Sequence, residues 1–568
     1  MSRNMMRKAT ALAAGFVLAG SAQAFVVNDT FSGNYGEGGG ASRGLIISVI
    51  EDFEDAGDFE AGVLVQWFTY RNGEPVWLIS GGTVVDADTN SADLTFFEFS
   101  GGTFGPPGIG NPGSVQWGTG TLTFNSCGNV ELDYDGIDGT GNIVFDNRTT
   151  RNDQCVVDEE FDSCPAFASD GPIEGTCIIG GQTVLDGITL TNETLWLLQD
   201  QLFVGDGGSV TIEPNTEIVG GTLGDNDTFI VSQGGKIYAE GTEVNPIVMR
   251  GFLNAGRGEW GGLVVNGFAP INGCPEGVTT CTAQGEGNSG TYGGNDPHDN
   301  SGVMRYLIVS NAGIAFNEED ELNGIALQAV GDQTVFEFIQ VHLNEDDGIE
   351  FFGGTVNARY LVLTGIGDDS IDWTQGWQGN VQYAVVKQYT DDGDQGIEGD
   401  NNGDANDSEP RALPVIANAT FVGSPNADIG WLIREGTGVS IANSIVTGFG
   451  DFCVDIDQQS TFDNSANLTF VNNVIGNCGT TFADNETNDG AFNDPFEVST
   501  FILNQQGNAQ ADPMLMNYAP MEGSPALNIG AVPYTDAFFD NVEYAGAIRS
   551  LDTDWTAGWT VGLDRDAP

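Results

Sequence analysis

A short pattern returns at nearly constant spacing through the middle of the chain. Gly348-Ile349-Glu350-Phe351 returns as Ser370-Ile371-Asp372-Trp373 and is preceded by Gly324-Ile325-Ala326-Leu327. A further copy, Gly396-Ile397-Glu398-Gly399, follows at a slightly wider step. A second register agrees: Phe338-Ile339-Gln340-Val341, Tyr360-Leu361-Val362-Leu363 and Tyr383-Ala384-Val385-Val386 recur at the same step. The step is roughly two dozen residues, a solenoid period. Two strand-length apolar pieces per repeat, bounded by Gly, Asn or Asp and joined by turns of variable length, describe one coil of a right-handed parallel β-helix. A leucine-rich repeat, the competing solenoid, needs a spaced Leu pattern that is missing. Equivalent residues of neighbouring coils stack at the strand spacing of ~4.8 Å. Ile325, Ile349, Ile371 and Ile397 then form an inward ladder, with Leu327, Phe351 and Trp373 beside it.

The same stacking sets carboxylate above carboxylate. Asp346, Asp368 and Asp394 share one row; Asn323, Asp347, Asp369 and Gln395 share the next; Ala326, Glu350, Asp372 and Glu398 lie three positions on. Asp391, Asp392 and Asp400 are close in sequence. Carboxylates held ~5 Å apart repel, and the repulsion is relieved by a shared proton, by solvent or by a bridging cation. Calcium takes six to eight oxygens from carboxylates, carbonyls and water. Asp346, Asp347, Glu350, Asp368, Asp369, Asp372, Asp391, Asp392, Asp394 and Glu398 are therefore the candidate ligands for a Ca2+ cofactor. The alternative is a solvated acidic column with diffuse counterions. Asp400-x-Asn402-x-Asp404 opens like an EF-hand loop, but Ala405 replaces the turn glycine and Arg411 stands where the bidentate Glu belongs. Asp296-Pro297-His298-Asp299-Asn300 reads as a metal-holding loop or as a turn ordered by Asx side chains.

The whole chain carries 81 acidic residues against 17 Lys and Arg, a net charge of −64. Such a surface repels phosphate backbones and anionic headgroups, which excludes nucleic acid and electrostatic membrane docking and favours divalent cations as partners. Acidity of this degree also fits adaptation to saline water, which lowers the weight of any single carboxylate. The 82 glycines are about twice the usual ~7% share, and 34 Phe with 10 Trp rule out a disordered acidic tail.

Residues 1–24 read as a secretory signal peptide: basic Arg3, Arg7 and Lys8, an apolar run over 11–20, and Ala22-Gln23-Ala24 as the cleavage site. No later apolar run is long enough to span a membrane. A secreted, cell-surface or periplasmic location follows, and with it disulfides among the eight cysteines. Cys274–Cys281 and Cys453–Cys478 are the local candidates; the pairing of Cys127, Cys155, Cys164 and Cys177 stays open.

Residues 25–150 read as a small antiparallel β domain, with strand-like runs separated by turn signals such as Arg71-Asn72-Gly73. Trp67, Phe68, Tyr70, Trp77 and Trp117 line either a ligand face or its core. Residues 151–180 read as a disulfide-stapled linker. Residues 181–568 form the β-helix, with Thr191–Val210 capping the first coils and the stretch from Ser524 through Trp559 capping the last.

Several stretches resemble exported bacterial right-handed β-helix proteins: 211–221 (TIEPNTEIVGG), 234–249, 259–272, 292–302, 321–331, 346–363 and 554–560 (DWTAGWT). The resemblance covers roughly residues 180–562 and implies a secreted or surface-displayed solenoid, without a catalytic residue set. The run Trp67–Tyr70 with Pro75–Gly82 resembles a small all-β domain of exported proteobacterial proteins and carries no assigned chemistry.

Two functions follow as expectations. The first is a calcium-stabilised structural, adhesive or matrix protein that meets glycans or surface proteins. The alternative is a polysaccharide-active β-helix enzyme, a lyase or a glycoside hydrolase, that uses the stacked Asp residues. Carboxylates suit a hydrolase; a lyase needs a base, and Lys236, Lys387, Arg359, Arg411 and Arg434 are the candidates. No G-x-S-x-G elbow or H-E-x-x-H motif occurs. His342, inside an apolar strand, reads as structural.

Overall fold

The computed structural model describes residues 33–37, 43–55, 58–71, 74–80, 83–85, 90–100, 113–126, 129–149, 164–172, 175–184, 186–221, 226–275, 277–317, 320–391, 393–484 and 494–563. The proposed signal peptide, Cys127, Cys155 and Asp392 lie outside them. The chain divides into two compact units, Met1–Glu160 and Phe161–Pro568.

In the first unit every long strand pairs antiparallel with its neighbour, and the last returns to the first. Gly33–Glu37, Gly44–Asp55, Asp58–Arg71, Glu74–Ser80, Ser91–Ser100, Gly113–Ser126, Asn129–Gly136 and Gly139–Thr149 thereby close an eight-stranded barrel. Closure removes the sheet edges that an open meander would expose. Alternation along the strands sends Val63, Val65, Trp67, Leu78, Leu94, Phe96, Leu122, Leu132 and Phe145 inward, where they fill the interior. The five aromatics named from sequence divide. Trp67 and Trp117 are buried, Tyr70 and Trp77 face out, and Phe68 is half-buried.

The second unit is a parallel β-helix. An 11-stranded sheet takes one short strand per coil, among them Leu263–Asn266, Ile325–Gln328, Ile349–Phe352, Ile371–Thr374, Ile397–Gly399 and Ile429–Ile433. Its register is that of the sequence repeat: Ile325, Ile349, Ile371 and Ile397 pair in succession, as do Leu327, Phe351 and Trp373. All of these are buried in one continuous core. The residue before each isoleucine is small because the coils close there. A Cβ on Gly324 would lie 2.5 Å from Val341 Cγ1 and 2.8 Å from the Gly348 carbonyl oxygen.

The other flank is an 18-stranded sheet. Its long strands, such as Gly302–Ser310, Val335–His342, Ala358–Thr364, Asn380–Lys387 and Val415–Val422, each turn a corner at one residue. That residue is left-handed in each of them: Tyr306, Phe338, Tyr360, Tyr383 and Asn418, with Asn443 and Asn472 continuing the line. The strain of a non-glycine residue there is offset by stacking. The first four rings lie face to face at 4.3–5.0 Å, and the asparagines hydrogen-bond one another or the chain that covers them.

That cover is the C-terminal segment. It runs back along the corner and does not close the last coil: Ala531 accepts from Asn472, Asp540 meets Arg359 and Gln382, and Trp555 and Trp559 pack edge-on against Tyr306, Phe338 and Tyr360. The last coil is closed by the helix Val498–Leu503, whose Val498 and Ile502 enter the core. At the other end Trp196 is within the coil stack, between Cys177 and Ile218, and Phe167 stacks on it at 5.8 Å. The antiparallel pair Ser169–Asp170 with Thr176–Ile179 covers the open edge. Disulfides join Cys164–Cys177, Cys274–Cys281 and Cys453–Cys478.

Candidate active site

The outward row of the 11-stranded sheet changes character along the helix. Phe203, Ile230, Val264 and Ala326 stand in register, followed by Glu350, Asp372 and Glu398, then Leu432 and Asp455. The apolar half is covered by the segment that carries the Cys274–Cys281 loop. Ile271 and Tyr292 pack on Ile230, Val264, Ala326 and Phe352. The cover reaches the first carboxylates, where the Tyr292 hydroxyl donates to Gln375 Oε1 at 2.9 Å. Glu350 and Asp372 are therefore only 8% and 7% exposed although they point away from the core. The row opens toward Glu398, Arg434 and Glu435, all half-buried.

Arg434 clamps the open end. Its guanidinium lies 2.7 Å from Glu398 and 3.0 Å from Asp400. These carboxylates hold its pKa above the ordinary arginine value against the opposing effect of burial. Burial pushes Glu398 up to about 8 despite Arg434, with Asp400, Asp368 and Asp394 adding to the rise. Asp372 is raised well above the usual carboxylate range by burial, then by Glu350 and Glu398. Glu350 is raised by burial, then by Glu286 and Asp347. Glu435 is pushed to about 7 by burial and Asp400.

Behind the row the turns form a second column. One oxygen from each carboxylate falls within 4.8 Å of the others in three groups: Asp346, Asp347 and Asp368; Asp347, Glu350 and Asp372; Asp368, Asp369 and Asp394. Backbone donors lock the column in register. Asp347 Oδ1 accepts from the Asp369 amide at 3.1 Å, and Asp369 Oδ1 accepts from the Gln395 amide at 2.7 Å. Asn323 Nδ2 donates to Glu350 Oε2 at 2.6 Å. Burial raises Asp347 and Asp369 well above the usual range, and neighbouring carboxylates raise them further. Asp394, more open, is pushed to about 6. Three buried acceptors beside these groups, Asn323 Oδ1, Asp372 Oδ1 and Gln395 Oε1, have no hydrogen-bond partner. A set of oxygen acceptors without donors is what a hard cation satisfies.

Of the sequence candidates, Asp346, Asp347, Glu350, Asp368, Asp369, Asp372, Asp394 and Glu398 meet in this one region. Asp391 points elsewhere and pairs with Arg257 at 3.1 Å. Asp400 is bound to Arg434 and does not open a calcium loop. Asp296 forms an Asx turn, accepting from the His298 amide at 3.1 Å. Lys387 lies on the other sheet and donates to the Gly423 carbonyl, and His342 contacts Thr364 Oγ1 at 2.8 Å. Sequence reasoning missed Glu286 and Tyr292, because the covering segment has no repeat to align, and Gln375, which directly follows the coil strand Ile371–Thr374. Glu435 had one available signal, its adjacency to Arg434.

The fold and this face define a parallel β-helix protein with a covered carboxylate row. Residues 181–560 match the family described as "Pectate-lyase like beta helix domain", and the chain belongs to that family. Among solved structures it is similar to the catalytic domain of a GH87 alpha-1,3-glucanase in complex with tetrasaccharides, at 9% identity and a TM-score of 0.21. That match covers 83% of this chain and 91% of the other, a likeness too loose to place any residue of the site. No curated protein matches the chain.

Proposed function

We infer that this protein is an exported polysaccharide-active enzyme that hydrolyses a glycan along the row Glu350, Asp372 and Glu398. The observation that carries the reading is the replacement of apolar by carboxylate side chains in three consecutive coils of one outward row, beneath a covering segment and beside Arg434. Family membership and three disulfides support it. The structural or adhesive role expected from bulk acidity gives way here, because an adhesive exterior has no use for carboxylates buried under a cover.

Carboxylates one strand spacing apart resist ionising together, so Asp372 and Glu398 hold a proton between them. Glu398, at the open end and poised near neutrality, gives its proton to the glycosidic oxygen. The bond from that oxygen to the anomeric carbon breaks. Asp372, only one strand spacing from Glu398, bonds to the anomeric carbon as that bond breaks; water then adds its hydroxyl to the carbon, releases Asp372 and returns its proton to Glu398. A lyase would instead need a base. Arg434 is held charged by its two carboxylate partners, and Lys387 is on the other sheet. The net charge favours a neutral glycan over a uronate polymer.

The turn column is the proposed calcium site. Asp346, Asp347, Asp368, Asp369 and Asp394 would hold the ion, with Asn323 and Gln395 as neutral oxygens beside it. Bound calcium would supply positive charge to a crowded anionic wall and keep the strands of the row in register. Glu398, engaged by Arg434, is left to the proton transfer.

The test is product analysis on a panel of neutral glycans. New reducing ends without unsaturated ends, lost in Glu398→Gln and Asp372→Asn, are expected. Unsaturated products would replace hydrolysis by elimination, and no cleavage of any glycan would overturn the reading.

A further inference from the structure

The barrel carries a surface that the β-helix chemistry does not use. Two cross-strand rows face outward on neighbouring strands. In one, Gln66 pairs with Ile79, Ile79 with Phe97, and Phe97 with Gln116. In the other, Phe68 pairs with Trp77. Phe99 lies beside Trp77, one step past the Leu78–Glu98 pair, and pairs with Ser114. Tyr70 extends this face toward Pro75. Trp77 is 60%, Tyr70 50% and Phe99 47% exposed. Water-facing aromatics in one cluster mark an interaction surface when they are contiguous, as these are.

Its charge is as informative as its shape. In a chain with 81 acidic residues, neither row contains an ionisable carboxylate or a cation. Arg71, which follows Tyr70, is committed to Glu98 and Asp138 at 2.8 and 2.5 Å. A charged ligand would find no counter-charge here, and an anionic one would meet the field of the whole chain. The partner is therefore uncharged, with an apolar face for the rings and polar edges for the flanking Gln66, Gln116 and Ser114.

We propose that this barrel face is a stacking platform for a neutral polysaccharide. The C–H face of a pyranose ring is apolar and weakly electropositive, and it complements the negative face of an aromatic ring. Its equatorial hydroxyls project to the sides, where the side-chain amides stand. Trp77 and Phe99 stand on adjacent strands ~4.8 Å apart, so neighbouring sugars of one chain meet these two rings in turn. Trp77 is held for this by the edge of Phe68, whose ring centroid is 4.5 Å away at 74°, which lowers the ordering cost of binding. The inference rests on the barrel alone and stands whether or not the β-helix cleaves the same glycan.

The experiment uses the full chain carrying Glu398→Gln, so that no cleavage interferes. Retention is measured on microcrystalline cellulose, chitin and insoluble β-1,3-glucan, with tryptophan fluorescence followed against the matching soluble oligosaccharides. Retention on at least one of these is expected, with Trp77→Ala weakening it about tenfold and Phe99→Ala less. Unchanged thermal melting of both variants shows that the barrel is intact, and Trp77→Gln provides a second variant that keeps a polar surface. Retention on none of the three polymers, or retention unaffected by Trp77→Ala, overturns the proposal. So does a concentration-dependent dimer abolished by Trp77→Ala without glycan binding, which would assign the face to a second copy of the chain.

Discussion

Two ladders run along the β-helix, and they resolve their polar groups in opposite ways. At the corner of the large sheet, Tyr306, Phe338, Tyr360 and Tyr383 stack and Asn418, Asn443 and Asn472 continue the line. The chain itself completes this ladder. Asn443 donates to the Gly530 and Tyr544 carbonyls, Asn472 to Ala531, and Asn418 to Tyr544. On the small sheet, Glu350, Asp372 and Glu398 stack under a partial cover, and Asp372 Oδ1, with Asn323 Oδ1 and Gln395 Oε1 beside the row, is left without a donor. A ladder satisfied by its own chain is scaffold; a ladder of like charges left short of donors stores the unfavourable electrostatics that a proton, a cation or a substrate relieves.

The sharpest way to break this contrast is to neutralise one member of the acidic ladder. Glu398→Gln is expected to lower glycan cleavage by about 10²-fold or more with an unchanged or raised melting temperature, read by reducing-end assay and calorimetry. A variant that lost stability and kept activity would make the row scaffold. The mirror experiment is Trp559→Ala in the strap. Trp559 is 3% exposed against Tyr306 and Phe338, so the change is expected to cost about 3–5 kcal/mol in denaturant unfolding. A negligible loss would mean that the strap does not hold the corner.

The two ladders also part in their response to pH and metal. Folded pKa values are raised in the acidic ladder and in the turn column behind it, to about 8 for Glu398 and about 6 for Asp394, so the folded state binds more protons than the unfolded one. Their contribution is fully present below the ordinary carboxylate pKa and is lost as pH rises through the folded values. Metal-free protein should therefore lose stability between about pH 5 and 8. Calcium at a hundred times its Kd should restore about 2.7 kcal/mol and flatten the slope, with EGTA reversing both. A melting temperature indifferent to calcium and EGTA would remove the ion from the column. The smallest effect is expected at the satisfied ladder. Asn443→Ala should cost about 1–3 kcal/mol with no dependence on calcium, measured by the same melts.

Much of the architecture was legible in the sequence because solenoid contacts are nearly local. The near-constant step of the Ile-x-Phe pattern fixes the register of Ile325, Ile349, Ile371 and Ile397, and the same alignment puts Glu350, Asp372 and Glu398 in one row. Two of the disulfides close short loops and followed from spacing alone. The barrel was less legible. Alternation marks its strands, but only the pairing of Gly33–Glu37 with Gly139–Thr149 closes them, and local pattern does not encode that contact. Aromatic runs likewise conceal direction: Trp67 and Trp77 look alike in sequence, yet one fills the barrel and the other faces water.

The sequence by itself determined the coil, its period, its inward ladder and the vertical alignment of the carboxylates, because each depends on residues within one or two turns of the solenoid. Tertiary structure decided what those carboxylates are worth. The covering segment with Tyr292 excludes water from Glu350 and Asp372, Arg434 closes on Glu398 from the next coil, and the C-terminal strap binds the opposite corner. Burial and neighbouring charge set the proton affinity of a carboxylate; the charges stack within the repeat, but the burial of Glu350 and Asp372 is completed by a covering segment that the repeat does not contain.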